Sequence, residues 1–314
     1  MTKLAPAAAA LSLALLTAPA FAQSQPVRIN FAAELGGKPF SCVSKFNHIG
    51  SARTTVSPAD FRLFVSNVAL IDATGKAVPV ELDQDGKWQY KNVALLDFEN
   101  GAGSCTNGTP DMRTIVSGKV PPGEYKGLRF EIGVPFELNH QDPTLAPSPL
   151  NLTAMFWTWQ GGYKFIKVDM DSGDKPPMTG GMKPAMQHGA GMNGGMKPAM
   201  KGHGHMGGMG ASSGFSIHLG STMCKAESRT SAPTACANGN RVAIEYRNFD
   251  LGKNLVVFDP APVVADVDVS KNTAGTSAGC MSFPNDPECN AVMPQLGLAY
   301  GGHAAKPQAF ARMR

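Results

Sequence analysis

Apolar and polar residues alternate with a period of two in many short stretches of this chain. Val27, Ile29, Phe31, Ala33 and Leu35 occupy alternate positions, which predicts a half-buried strand. Phe61 to Asp72 predicts another, with Leu63, Val65 and Val68 apolar. Ala73-Thr74-Gly75-Lys76 is a turn signal, and Val78 to Leu82 reads as the return. A second turn, Asp83-Gln84-Asp85-Gly86, leads to Trp88 and Tyr90. Leu128, Phe130, Ile132 and Val134 alternate cleanly. Met155, Trp157 and Trp159 fall on one predicted strand face, and Tyr163 to Met170 follows Gly161-Gly162 as its hairpin partner. Phe215, Ile217 and Leu219 alternate again, which puts His218 on the opposite face, and Val242, Ile244 and Tyr246 make one more strand. No long segment has helical periodicity. The expected fold class is all-β: an antiparallel sandwich or barrel, most simply a β-sandwich-like domain.

Three segments break the pattern. Residues 1–22 have a basic start at Lys3, an Ala- and Leu-rich apolar run and a small-x-small end at Ala20-Phe21-Ala22, the pattern of a secretory signal peptide. The run is too short to span a membrane, and no other stretch reaches spanning length. Residues 171–213 hold almost no branched aliphatic or aromatic side chain and cannot bury a core, which predicts a disordered insertion. The remainder, 23–170 and 214–314, is expected to form one domain. Its last part, from about Asp266, looks irregular and pinned by cysteines.

Composition narrows the function. Of 314 residues, 17% are charged and the net charge is only +4, with no clustered basic stripe, which excludes a nucleic-acid binder of the dense basic kind. The six cysteines are an even number in a chain expected to be exported, so three disulfides are the first expectation. Short loops pair Cys224 with Cys236 and Cys280 with Cys289, which leaves Cys42 with Cys105. Thiolate metal ligation is the rival reading, but no Cys-x-x-Cys occurs.

Eight of the 16 methionines crowd into the insertion: Met178, Met182, Met186, Met192, Met196, Met200, Met206 and Met209, with His188, His203 and His205 among them. The unit Gly-Gly-Met-Lys-Pro-Ala-Met occurs twice, at 180–186 and 194–200. Methionine clusters usually fill cores, but Gly, Lys and Pro neighbours exclude that here. Thioethers suit Cu(I), and imidazole suits both copper oxidation states. Where cysteines are locked in disulfides, methionine stays available. The segment is therefore expected to bind several Cu(I) ions. Two Gly-rich matches inside it, 202–207 to the dinucleotide fingerprint and 210–214 to the nucleophile elbow, do not lie between a predicted strand and helix and carry no chemistry.

Outside the insertion the histidines are His48, His140, His218 and His303. Their spacing alone assembles no site. Several longer stretches, however, resemble one bacterial family: 80–89, 127–136, 146–151, 155–165, His218-Leu219-Gly220-Ser221-Thr222 and Gly279-Cys280-Met281-Ser282. Over about Phe31 to Phe310 the chain is similar to the MbnP-like copper-binding family, periplasmic proteins associated with methanobactin operons. The Met/His insertion looks like an addition to the family pattern. The resemblance implies a β-rich copper protein and a di-haem partner of the MauG/cytochrome c peroxidase type, which oxidises a tryptophan to kynurenine. Carried onto this chain, it implies His140 and His218 as copper ligands and Trp159 as the oxidised residue, with Trp157 in reserve.

The function expected is therefore non-catalytic: periplasmic copper sequestration, storage or delivery. A copper oxidase with a blue-copper centre needs a free cysteine beside histidines, and none is spare if all six pair. No His-Glu-x-x-His occurs. The alternative class is an exported β-sandwich adhesion or carbohydrate-binding module, with aromatics such as Trp88 on its surface and an inert linker.

Overall fold

The structure, a computed structural model, describes residues 23–158, 160–173, 214–228 and 231–314. The expected signal peptide and Trp159 lie outside the described residues, as do all the methionines and histidines named above in the insertion.

The chain enters through β1 (Gln25–Leu35), on which β2 (Lys38–Pro39) folds back. β3 (Phe46–Ile49) leads into β4 (Thr54–Asp72), a 19-residue strand. The return expected along Val78 to Leu82 divides in two: β5 (Ala77–Pro79) pairs with β4, while β6 (Glu81–Leu82) crosses to β9 (Ile115–Val120). Between them lie β7 (Gln89–Tyr90) and β8 (Val93–Asp97). β10 (Tyr125–Ile132) is followed by the one-turn helix α1 (Phe136–Asn139). A single 3-10 turn, Thr153–Met155, opens the hairpin β11 (Phe156–Thr158) and β12 (Gly162–Tyr163). Met155 thus sits in the turn rather than on a strand face with Trp157, because the strand begins one residue later. β13 (Ile166–Asp171) and β14 (Gly214–Leu219) flank the insertion. β15 (Thr222–Lys225) and β16 (Ala235–Asn238) form a separate ribbon, and β17 (Val242–Tyr246) and β18 (Val256–Phe258) follow. The C-terminal part is less irregular than its sequence reads: it holds α2 (Cys289–Gln295) and β19 (Ala311–Met313).

Two sheets carry the fold. One runs β19-β18-β1-β9-β6, the other β14-β13-β4-β10-β17 with β3, β5 and β8 also on β4. Pairing is antiparallel except between β1 and β18. The sheets meet through aromatic rings: Phe31 and Phe258 of the first stand edge-on to Phe130 of the second, at centroid distances of 5.8 and 6.4 Å. Each such ring contributes about 1.5–3 kcal/mol by leaving water. This is the expected sandwich-like packing of an all-β domain.

The three disulfides are Cys42–Cys105, Cys224–Cys236 and Cys280–Cys289, and no free cysteine remains. They fit an oxidising compartment. Cys42–Cys105 spans 63 residues of sequence and contributes about 4 kcal/mol on chain-entropy grounds. No helix among the described residues is long and apolar enough to cross a membrane.

One polar face of the second sheet is covered rather than solvated. Arg62, Asp60, Asp97 and Glu99 are each at most 1% exposed. Arg62 donates from Nε to Asp60 at 2.8 Å. Asp97 accepts from the Glu99 amide and the Thr109 hydroxyl, both at 3.2 Å. Burial, then the neighbouring Glu99 charge, pushes the Asp97 carboxyl up to about 7 despite Arg62. A carboxyl raised on folding makes the folded state hold the extra proton, so its contribution to stability falls as pH rises from about 4 to about 7. Asp97→Asn removes that slope. In urea titrations the variant is expected to gain on the unsubstituted protein by a few kcal/mol between pH 5 and pH 8. A parallel pair of pH profiles would show that Asp97 titrates as in the unfolded chain.

Candidate functional site

His218 lies on β14 with Phe215, Ile217 and Leu219 buried on the other face, as the alternation predicts. Across the ladder it opposes Lys167 of β13. The period of two puts Lys167 and Asp169 on the face of His218, and Asp60 and Arg62 of β4 continue that row. Asp169 Oδ1 is 2.7 Å from His218 Nε2. Lys167 Nζ is 3.4 Å from the other Asp169 oxygen and also contacts Asp60. Burial raises the Asp169 carboxyl, but the hydrogen bond from His218, the charges of His218 and Lys167 and the Ser216 hydroxyl outweigh it and hold the group well below the usual carboxylate range. An ionised Asp169 accepts the Nε2 proton and so leaves the His218 Nδ1 lone pair for a ligand. This is the carboxylate–histidine pairing that orients metal-binding imidazoles.

Trp157 stands beside this histidine, its ring centroid 6.4 Å away. Phe283 stacks on the indole at 5.5 Å and is 50% exposed. Gly220 lies under the same indole, and a Cβ there would come within 2.6 Å of the ring. Phe283 is held in place by the chain that carries it. Cys280 bridges to Ile217, the His218 amide donates to the Cys280 carbonyl at 2.9 Å, and the Ser282 hydroxyl donates to the His218 carbonyl at 2.8 Å. The Cys280–Cys289 disulfide fastens this strip to α2.

His140 follows α1 and is only 5% exposed. Phe136 packs on its ring at 4.9 Å. Its Nε2 is 3.1 Å from Asn139 Nδ2 and 3.4 Å from Cys236 Sγ. Asn139, fully buried, ties the neighbourhood together: its Oδ1 accepts the Tyr163 amide at 2.9 Å and its Nδ2 reaches Ser221 Oγ at 3.4 Å. Gly162, at φ +70°, passes so close that a Cβ would lie 2.4 Å from the Asn139 carbonyl.

A relay of contacts through Asn139, Ser221, Gly220 and Trp157 links the surroundings of the two histidines named from the sequence. Among the described residues, the groups of three or more His, Cys or acidic ligand atoms within 4.8 Å are His140–Cys224–Cys236 and Cys42–Glu99–Cys105. Neither contains both histidines, and the sulfurs of both are in disulfides. Of the two tryptophans named, the described contacts place Trp157 beside His218. His303 is exposed and lines a separate surface cleft with Asp266 and Lys306, and His48 is exposed on β3.

The MbnP family model matches residues 24–282. Among solved structures, MbnP from Methylosinus trichosporium is 32% identical, with 93% of this chain and 98% of that chain aligned at a TM-score of 0.72. The chain belongs to the MbnP family. No curated protein matches it. The MbnP match takes in His140, Trp157, Asp169 and His218 and both flanks of the insertion, and it stops one residue before Phe283. Asp169, Asn139 and Phe283 were not singled out in the sequence. Asp169 had a signal, since it alternates with Lys167 on a strand whose other positions are apolar. Asn139 and Phe283 had none, because their roles come from loops that only the folded chain brings together.

Proposed function

We propose that this MbnP-family protein binds copper as cargo in the periplasm, for sequestration, storage or delivery, and is not an enzyme. Family membership supports a methanobactin-associated, copper-related role. The observation that carries the reading to particular residues is the pairing of His218 with Asp169 beside the Trp157 indole. The donor set fits the cargo: an imidazole oriented by a carboxylate, a second imidazole at His140 linked to it through Asn139, Ser221, Gly220 and Trp157, and an indole centred 6.4 Å from His218. A di-haem partner of the MauG type oxidises one tryptophan of the pair, Trp159 or Trp157, to kynurenine. The partner, with peroxide as oxidant, draws four electrons from the indole as its C2–C3 bond breaks and two oxygen atoms are added. Water then releases C2 as formate, and the aromatic amine and carbonyl left behind add a nitrogen or oxygen donor to the two imidazoles. Phe283 and Gly220 fix the Trp157 ring, and the half-exposed Phe283 leaves that ring near the surface, where a partner protein can draw electrons from it. The Met/His insertion adds soft Cu(I) sites of its own.

Co-expression with the di-haem partner tests this. Peptide mass spectrometry is expected to find the tryptophan-to-kynurenine change in the peptide carrying Trp157 and Trp159, and copper to be retained only by the modified protein once the insertion's loosely held ions are dialysed away. Intact tryptophans at 88, 157 and 159 in a protein that still holds tight copper would overturn the oxidation step.

A further inference from the structure

The three disulfides differ in access. The sulfurs of Cys42, Cys105, Cys280 and Cys289 belong to residues at most 5% exposed, whereas Cys224 and Cys236 are half-buried. Cys224 lines an open surface cleft with Gln160, Ala226 and Ser228. The two cysteines face each other across the β15–β16 ribbon, which is not hydrogen-bonded into either main sheet. Cys236 Sγ is 3.4 Å from His140 Nε2. His140 Nε2 or Nδ1 and the two sulfurs lie within 4.8 Å of one another.

We propose that Cys224–Cys236 is a reducible disulfide, and that its reduced form makes a second copper site in which Cys224, Cys236 and His140 bind one Cu(I). A dithiol reductant supplies the electrons. Its thiolate attacks Cys224 Sγ from the cleft, the protein S–S bond breaks, and Cys236 leaves as a thiolate beside the imidazole. The second thiol of the reductant then displaces Cys224 from the mixed disulfide. The products are the protein dithiol and the oxidised reductant, with two electrons transferred. A disulfide sulfur is a poor ligand, whereas two thiolates and an imidazole form a strong soft-metal set. Metal–sulfur and metal–nitrogen bonds of about 2.3 and 2.0 Å in a trigonal plane require ligand atoms roughly 3.5–4 Å apart. The His140 to Cys236 separation of 3.4 Å falls about 0.1 Å short of this, and freeing the S–S bond lets both sulfurs move out to it. The site shares His140 with the reading above but needs no oxidised tryptophan, so the two fail separately.

The test uses the full mature chain. Mild dithiothreitol followed by iodoacetamide and peptide mapping is expected to label Cys224 and Cys236 before the other four cysteines. One equivalent of Cu(I), added anaerobically after the reductant is removed, is expected to protect both from alkylation and to produce a thiolate-to-copper charge-transfer band that the methionine sites cannot give. Cys224→Ser/Cys236→Ser loses that band, and His140→Ala weakens Cu(I) retention against a chelating competitor at least tenfold. Prior labelling of another pair, or full alkylation of Cys224 and Cys236 in the presence of Cu(I), would overturn the proposal on the unsubstituted protein, whatever the variants do. Persistence of kynurenine formation in the double serine variant separates this site from the tryptophan site.

Discussion

Replacing residues 172–213 with Asn-Gly is expected to remove most of the Cu(I) the protein binds while leaving its fold intact. The sheet itself sets the cut. β13 and β14 stay in register to their last pair, Asp171 opposite Gly214, so the insertion leaves and re-enters at neighbouring positions of one ladder. A two-residue type I′ turn fits such a pair. Shortening the connection from 42 residues to two lowers the cost of closing it and adds up to about 3 kcal/mol of stability. All eight of the insertion's methionines and its three histidines go with it. Anaerobic Cu(I) titration of both proteins decides the matter: several ions are expected on the full chain and at most one or two tight ions on the shortened one. Equal stoichiometry would show the insertion to be an inert linker, and a lowered melting temperature would show that it also supports the β13–β14 edge.

Much of this architecture is legible in the sequence because half-buried strands carry a period-two signal. β1, β10, β14 and β17 fall where alternation puts them. β8 escapes the pattern because all five of its residues are buried, so Val93-Ala94-Leu95-Leu96 shows no alternation. β18 and β19 are three residues each and owe their existence to pairing with β1 and with each other. The buried Glu34, contacted by Arg312 and Arg314, fixes that C-terminal strand through partners almost the whole chain away. The disulfides are legible from parity and loop length. The site is legible only in part. Motif resemblance names His140 and His218, but which groups surround each depends on tertiary contacts: a polar row three strands wide for His218, and a separate ribbon for His140.

That difference in surroundings gives His218 and its carboxylate the second large effect. With Cys224–Cys236 kept oxidised, His218→Ala is expected to abolish tight copper binding in the folded domain. Asp169→Asn is expected to weaken it by 10- to 100-fold while the histidine remains, as removal of an orienting carboxylate does at other metal sites. The asparagine keeps the shape and can still accept the Nε2 proton, but it loses the charge that favours that tautomer and that pairs Lys167. Because the Asp169 carboxyl is lowered on folding, the stability it gives is fully present above the unfolded value near 4 and is lost only as pH falls through the folded one. At neutral pH the carboxylate is therefore ionised, and the loss of affinity measured there reads the missing orienting charge rather than protonation of Asp169. Competition titrations in the shortened protein, prepared with oxidised tryptophan, measure it without interference from the insertion. Unchanged affinity in Asp169→Asn beside complete loss in His218→Ala would make Asp169 a purely structural partner of Lys167 and Asp60. Unchanged affinity in both would place the copper away from β14 altogether, at His140 and its neighbours.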